Sequence, residues 1–320
     1  MFRHDGFLTV IYFLLFLDPG FSQVKNYESF RIVPLGVMGG IDESNLSAYM
    51  VAASGTNSYI CLDAGTLHYG IEKAIGNKVF SIPAEQVIEE YIKGYLISHA
   101  HLDHVAGLII NSPNDTNKNI YALASCIQTL KTCYFTWESW ANFGDEGEAP
   151  LLKKYHYRVL SPDTTISITT TGLTVNAFPL SHAGIQSTAF LINNKDTYIL
   201  YLGDTGPDEI EKSQNLHILW QAVAPLIKNK KLKGIFIESS FPDEQPDKIL
   251  FGHLTPHWLM KEMEELANVT GKDALLGFNI IITHTKPPQI NIDKIKVQLK
   301  AENTLKLSLV FPEQGKAFDL

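Results

Sequence analysis

The run His99-Ala100-His101-Leu102-Asp103-His104 puts three imidazoles and one carboxylate within six residues, and nothing else in the chain restricts its fold as much. It follows the strand-like residues 95–98, so an apolar pattern breaks off into a segment that a core would reject. Imidazole nitrogen and carboxylate oxygen suit zinc and neighbouring first-row cations. Alternate side chains of an extended turn leave on one side, which sets His99 and His101 against one ion and frees Asp103 and His104 for a second. A chain carrying this run must build a rigid edge to mount it on and bring further donors there from distant segments.

Candidates for those donors also stand at the ends of apolar runs: His182 in Pro179-Leu180-Ser181-His182-Ala183-Gly184, and Asp204 in Leu202-Gly203-Asp204-Thr205-Gly206. Small neighbours let the backbone approach an ion, and an aspartate can span two ions with its two oxygens. Either residue alone reads equally well as an ordinary loop residue; beside the first cluster both read as ligands. The last donor is His253, in Gly252-His253-Leu254-Thr255-Pro256, or His284, in Thr283-His284-Thr285. We prefer His253 as ligand, which leaves His284 as a catalytic residue that contacts phosphate or protonates a leaving oxygen. Asp63, in Leu62-Asp63-Ala64-Gly65, is expected to accept a hydrogen bond from a ligand imidazole, with a plain turn residue nearly as good a reading.

The rest of the sequence alternates short β-rich runs with helical patterns. Strands are expected at residues 47–53, 59–62, 95–98, 173–178, 189–192, 198–202, 234–238, 279–283 and 307–310. A helix opens near Ser81 and Pro83, with Val87, Ile88, Tyr91 and Ile92 on one face and Gly94 closing it; another starts near Val105. Residues 256–267 read as a helix with Thr255 as N-cap, Pro256 in the first turn and Leu259, Met263 and Leu266 on its apolar face. No linker-like stretch interrupts this alternation, so residues 23–320 read as one α/β domain: two sheets packed face to face, helices outside and polar clusters at strand ends.

Residues 1–22 read differently. Arg3 and His4 precede an apolar run over 7–17, followed by Asp18, Pro19, Gly20 and Ser22. Crossing a bilayer takes about 20 apolar residues, so this stretch fits a cleaved secretory signal rather than a span, and the expected location is periplasmic or secreted. Three cysteines, Cys61, Cys126 and Cys133, are too few for a disulfide framework, though Cys126 and Cys133 could pair in an exported protein. A net charge of −8 disfavours grip on a long nucleic acid, which requires many lysines and arginines, while leaving a small anionic substrate open.

The His99 to His104 run is the HxHxDH signature, and there the chain resembles the metallo-β-lactamase superfamily. Extended through Val105-Ala106-Gly107-Leu108-Ile109-Ile110-Asn111-Ser112-Pro113, it is similar to the class II cyclic nucleotide phosphodiesterases, as are Leu35-Gly36-Val37-Met38-Gly39-Gly40, Asn45-Leu46-Ser47-Ala48-Tyr49 and Leu62-Asp63-Ala64-Gly65-Thr66. The resemblance implies a four-layer αββα sandwich, two divalent metal ions, zinc first with manganese or iron(II) able to take the same donors, and hydrolysis of cyclic AMP to 5′-AMP. The partners it implies are a small cyclic nucleotide and at most a second copy of the chain.

On this reading His99, His101 and His182 hold one ion, Asp103, His104 and His253 the other, and Asp204 spans both. Two such ions lower the pKa of a shared water from about 15.7 toward roughly 7, which provides hydroxide at neutral pH without a strong protein base. Asp103 orients that water as well as ligating. A rival resemblance is to ribonuclease Z, through Glu238-Ser239-Ser240-Phe241 followed by Gly252-His253-Leu254-Thr255, and it is why His253 takes the ligand role. Against the rival, Ile237 stands where its proton-donating histidine would sit, and no basic arm for transfer RNA is present. A lactone or β-lactam hydrolase on the same scaffold is disfavoured by Leu102 and Ser112-Pro113. The aromatic residues Tyr134, Phe135, Trp137, Trp140 and Phe143 could stack on a base, but packing into the core is the preferred reading.

Overall fold

The structure, a computed structural model, describes residues 1–2 and 29–320, so the expected leader lies almost wholly outside the described residues. The first sheet comprises β1 (Phe30–Gly36), β2 (Ala48–Ala53), β3 (Tyr59–Leu62), β4 (Ile92–Leu96), β5 (Lys118–Leu123) and β6 (Tyr155–Leu160). The second comprises β7 (Ile166–Ser167), β8 (Thr174–His182), β9 (Ile185–Asn194), β10 (Thr197–Leu202), β11 (Leu232–Glu238), β12 (Asn279–Thr283) and β13 (Ser308–Val310), and β14 (Phe318–Asp319) returns to pair with β1. Helices α1 (His68–Gly76), α2 (Ala84–Gln86), α3 (Leu102–Asn111) and α4 (Ala124–Thr129) cover the first sheet. Of the later helices α5 (Asp208–Glu211), α6 (Asn215–Lys228), α7 (Pro256–Thr270) and α8 (Gln289–Glu302), the long α6, α7 and α8 cover the second.

Strand alternation explains the layering. In β2, Ala48, Met50 and Ala52 face the helices while Tyr49 and Val51 enter the core between the sheets. In β11, Ile235 and Ile237 face helices and Phe236 points inward, where its ring lies 5.6 Å from that of Tyr49. Both faces of each central strand are therefore buried, which is why these strands read as nearly unbroken apolar runs. The result is the αββα sandwich that the resemblance implied.

Local chemistry sets the helix ends. Thr255 Oγ1 accepts a hydrogen bond from Trp258 N, Pro256 fills the first turn of α7, and Leu259, Met263 and Leu266 are wholly buried, as expected. Gly94 does not close a helix. The α2 segment continues as one wider π turn over Val87–Tyr91, and Gly94 lies inside β4, where an added Cβ would sit 2.9 Å from Asn119 O. Neighbouring backbone thus selects the glycine. Cys126 is buried under the first sheet while Cys133 is exposed, and both thiols are free.

Strand direction gathers the strand ends. β3 and β4 run parallel, as do β10, β11 and β12; β8 and β10 are each antiparallel to β9, so they share a direction. Residues that follow β4, β8, β10, β11 and β12 consequently emerge at one edge of the sandwich.

Candidate metal centre

Three overlapping sets of donors meet at that edge, one of them Asp204, His253 and His284. His99, His101, His182 and Asp204 each offer an atom within 4.8 Å of the others, and so do Asp103, His104 and His284. Asp204 joins the sets: Oδ2 lies 3.8 Å from His99 Nε2, 3.7 Å from His182 Nε2 and 3.3 Å from His284 Nε2, while Oδ1 lies 3.3 Å from His104 Nε2. His101 Nδ1 is 3.3 Å from His182 Nε2, and His284 Nε2 is 3.1 Å from His104 Nε2 and 3.2 Å from Asp103 Oδ2. His101 is exposed at the mouth and the other imidazoles are buried.

Hydrogen bonds behind the imidazoles fix which nitrogen faces the centre. His104 Nδ1 donates to Asp63 Oδ2 at 2.8 Å and His182 Nδ1 to the Gly252 carbonyl at 2.7 Å. His284 Nδ1 lies 3.0 Å from Ser240 Oγ. Ser98 Oγ donates to Asp63 Oδ2 at 2.9 Å, so it can only accept from His99 Nδ1, 3.0 Å away. His99, His104 and His182 thus commit Nδ1 outward and face the centre with Nε2, whereas His101 turns Nδ1 toward His182. His99 Nε2 is buried without any hydrogen-bond partner. Converging lone pairs beside a carboxylate repel one another unless a cation lies between them, and this orphaned nitrogen is the observation that fits the residues to metal.

Protonation leans the same way. Burial, with His104 nearby, holds His99 well below the ordinary imidazole range, and burial lowers His101 and His182 too, so these imidazoles are neutral at pH 7, the form in which imidazole can ligate. Burial opposes the charge of Asp204, but His104 and His284 outweigh it and hold the carboxyl well below its usual range. His104 runs oppositely: burial disfavours its charge, yet Asp204 and Asp63 raise it well above the usual value, a proton held where a cation would sit.

Backbone strain supports the constellation. Asp63 and His284 both adopt left-handed φ, at 52° and 53°. Asp63 accepts from Ser98 N, Ser98 Oγ, His104 and Tyr201 Oη, as its expected supporting role requires. Gly39 lies against the His284 ring, where an added Cβ would be 2.1 Å from Cε1, and the next residue's N–H donates to Asp103 Oδ2 at 2.8 Å. Phe135 and Phe143 pack into the core, and Tyr134 Oη braces the metal loop by donating to Ala100 O at 2.8 Å.

The last two histidines both reach the centre, where each offers an atom within 4.8 Å of Asp204 and of the other. His284 lies nearest Asp103 and His104, whereas His253 commits Nδ1 to Glu238 at 3.0 and 3.1 Å and has Nε2 2.8 Å from Lys286 Nζ. Burial works against the charge on both members of the pair, but Glu238 raises His253 and His253 lowers Glu238, so the proton rests on the imidazole. Glu238 carried no role in the sequence reading; its only signal was an acid ending an apolar strand before two serines. Ser98, Tyr201 and Lys286 gave none, since each acts through contacts that the fold creates.

Comparison with known proteins settles the family. The family model for class II cAMP phosphodiesterases matches residues 30–309. The chain belongs to the class II cAMP phosphodiesterases. It is 43% identical over 310 residues to a 3′,5′-cyclic-nucleotide phosphodiesterase of Aliivibrio fischeri, covering 92% of this chain and 94% of that one. A probable 3′,5′-cyclic-nucleotide phosphodiesterase of Yersinia pestis is 38% identical over 302 residues, covering 90% and 88%. Among solved structures, unliganded yeast PDE1 superposes with a TM-score of 0.77 at 22% identity, covering 91% of this chain and 99% of that one. Human tRNase Z, short form, reaches 0.52 at 16% identity over 90% of this chain and 98% of that one, a likeness of fold alone. The class II phosphodiesterase chain therefore carries its family's architecture from the first described strand nearly to its end.

Proposed function

We propose that the chain hydrolyses 3′,5′-cyclic nucleotides, cyclic AMP among them, to 5′-nucleoside monophosphates with two divalent ions, zinc by the chemistry of the donors. The carrying observation is the meeting of these overlapping donor sets around Asp204, with the Nδ1 protons of His99, His104 and His182 pinned outward and an orphaned His99 Nε2. His99, His101, His182 and Asp204 would hold one ion; Asp103, His104, His284 and Asp204 the other. When bound, the ions supply Lewis acidity toward the phosphoryl oxygens and make water acidic near neutral pH. Asp103, tethered by Gly40 N, orients the water for attack on phosphorus opposite the 3′ oxygen. As the bond to O3′ breaks, His253, relieved of its Lys286 contact and protonated at Nε2, gives that oxygen the proton, and Glu238 holds the ring and stabilises its charge through Nδ1. The products are a 3′-hydroxyl and a 5′-phosphate, so no atom beyond those of water is consumed.

Export belongs to the same reading: the charged start and the apolar stretch over 7–17 support a periplasmic or secreted enzyme, and among the described residues no helix is long and apolar enough to cross a membrane. Chromatography of the products from cyclic AMP and cyclic GMP, run with metal quantification on the purified protein, tests the proposal. It expects 5′-monophosphates and two ions per chain. Release of a 3′-monophosphate, or hydrolysis that survives complete removal of metal, would reject it. N-terminal sequencing of protein recovered from cell fractions tests export.

A further inference from the structure

Lys286 stands two residues beyond His284, half-buried at the mouth of the second donor set. Its backbone N–H is anchored on Ser240 O at 3.2 Å, and its Nζ lies 5.2 Å from the centroid of the Phe241 ring. An added Cβ on Gly40 would be 3.9 Å from its Cδ, so the stem runs past the same loop that tethers Asp103. The ammonium thus has a fixed place, 2.8 Å from His253 Nε2, and no carboxylate lies within ion-pairing distance of it among the described residues. An ammonium pressed against an imidazole without a counter-ion is a poor arrangement for the free protein.

We propose that Lys286 is the anion anchor of the site: its ammonium takes a non-bridging phosphoryl oxygen of the substrate and so selects a charged phosphodiester over a neutral carbonyl compound. The inference rests on the phosphodiesterase reading and deepens it. The phosphoryl group supplies the missing counter-charge, and binding it draws Nζ off His253, which frees Nε2 to face the 3′ oxygen. A mono-anion meets one ammonium at a half-buried mouth, where a charge-assisted hydrogen bond is stronger than one fully in water.

The test compares zinc-loaded wild type with K286M, K286Q and K286R. Inorganic phosphate binding is measured by calorimetry, KM and kcat with cyclic AMP, and zinc content by elemental analysis. In K286M, phosphate should bind on the order of tenfold to a hundredfold more weakly and KM should rise by a similar factor, the range of one charged hydrogen bond, with zinc content unchanged. K286R should recover most of both. Unchanged phosphate binding in K286M, or a fall in kcat alone, overturns the proposal, because a residue that merely positions His253 would act on turnover. Should K286M not fold, K286Q decides, since it keeps a polar donor without the charge: phosphate binding at wild-type strength in it is equally fatal. Wild type that binds phosphate through Lys286 but cleaves no cyclic nucleotide would sink the phosphodiesterase reading and leave this one standing.

Discussion

Asp63→Asn should weaken both metal sites through a residue that touches neither ion. The carboxylate accepts from Ser98 N at Oδ1, and from Ser98 Oγ, His104 Nδ1 and Tyr201 Oη at Oδ2. An asparagine carbonyl can still satisfy Ser98 N, but its amide then turns two protons toward three donors. Tyr201 can turn to Ser47 Oγ, 3.2 Å away. His104 cannot turn: it must face the amide unpaired or move its proton to Nε2, the nitrogen aimed at the second ion. Ser98, redirected toward His99 Nδ1, would push the His99 proton to the Nε2 aimed at the first. Substitutions of such supporting residues weaken metal binding about 10- to 100-fold, or roughly 1.4–2.7 kcal/mol, and here the loss should appear at both sites. Zinc affinity measured by competition with a chromogenic chelator checks this, with melting of the zinc-free protein as a control for folding. Tyr201→Phe, which disturbs neither imidazole proton, should change affinity less than about threefold by the same reasoning. Wild-type affinity in Asp63→Asn would refute the argument that tautomers set by this carboxylate organise the centre.

Other outcomes follow from the same geometry. His253→Ala should keep both ions and lose about 10²- to 10⁴-fold in kcat, whereas His284→Ala should lose close to one ion per chain by elemental analysis. The reverse pattern would restore the assignment expected from the sequence. Gly39→Ala should mimic His284→Ala in metal content without removing any donor, because the new methyl would stand 2.1 Å from the ring. Asp103→Ala and His101→Ala should abolish nearly all hydrolysis of cyclic AMP while circular dichroism stays native, since both residues sit on a surface edge and neither packs a core.

The donor inventory was legible because metal chemistry needs rare residues in tight company. His99 to His104 declared itself locally, and His182 and Asp204 did so by closing apolar strands among small neighbours. The separate roles proposed for His253 and His284 were not legible, since both stand beside Asp204; the Glu238 side chain, reaching His253 Nδ1, is the contact on which the proposal tells them apart. The central strands showed through their apolar runs. β1 did not, because Pro34 interrupts it where the register with β2 shifts. Nor was α6 singled out, although Leu216, Leu219, Trp220, Val223 and Ile227 recur at helical spacing, with Pro225 tolerated in its last turn. Of the aromatic segment after α4, Phe135 and Phe143 pack as expected, whereas Trp137 and Trp140 are exposed and Tyr134 is half-buried; the link from Tyr134 to Ala100 O depends on a tertiary contact that no local pattern encodes.

The two donor sets that the proposal uses draw on both sheets: His99 and His101, like Asp103 and His104, follow β4, while His182 ends β8 and Asp204 and His284 follow strands of the other layer. Neither half of the polypeptide can therefore supply either of those two sets alone. Bound cations act as rivets across the seam, and chelation should loosen the halves from each other before either one melts. Fragments divided between β6 and β7 would acquire metal only on reassociating, which makes stoichiometric zinc a direct readout of whether the seam has closed.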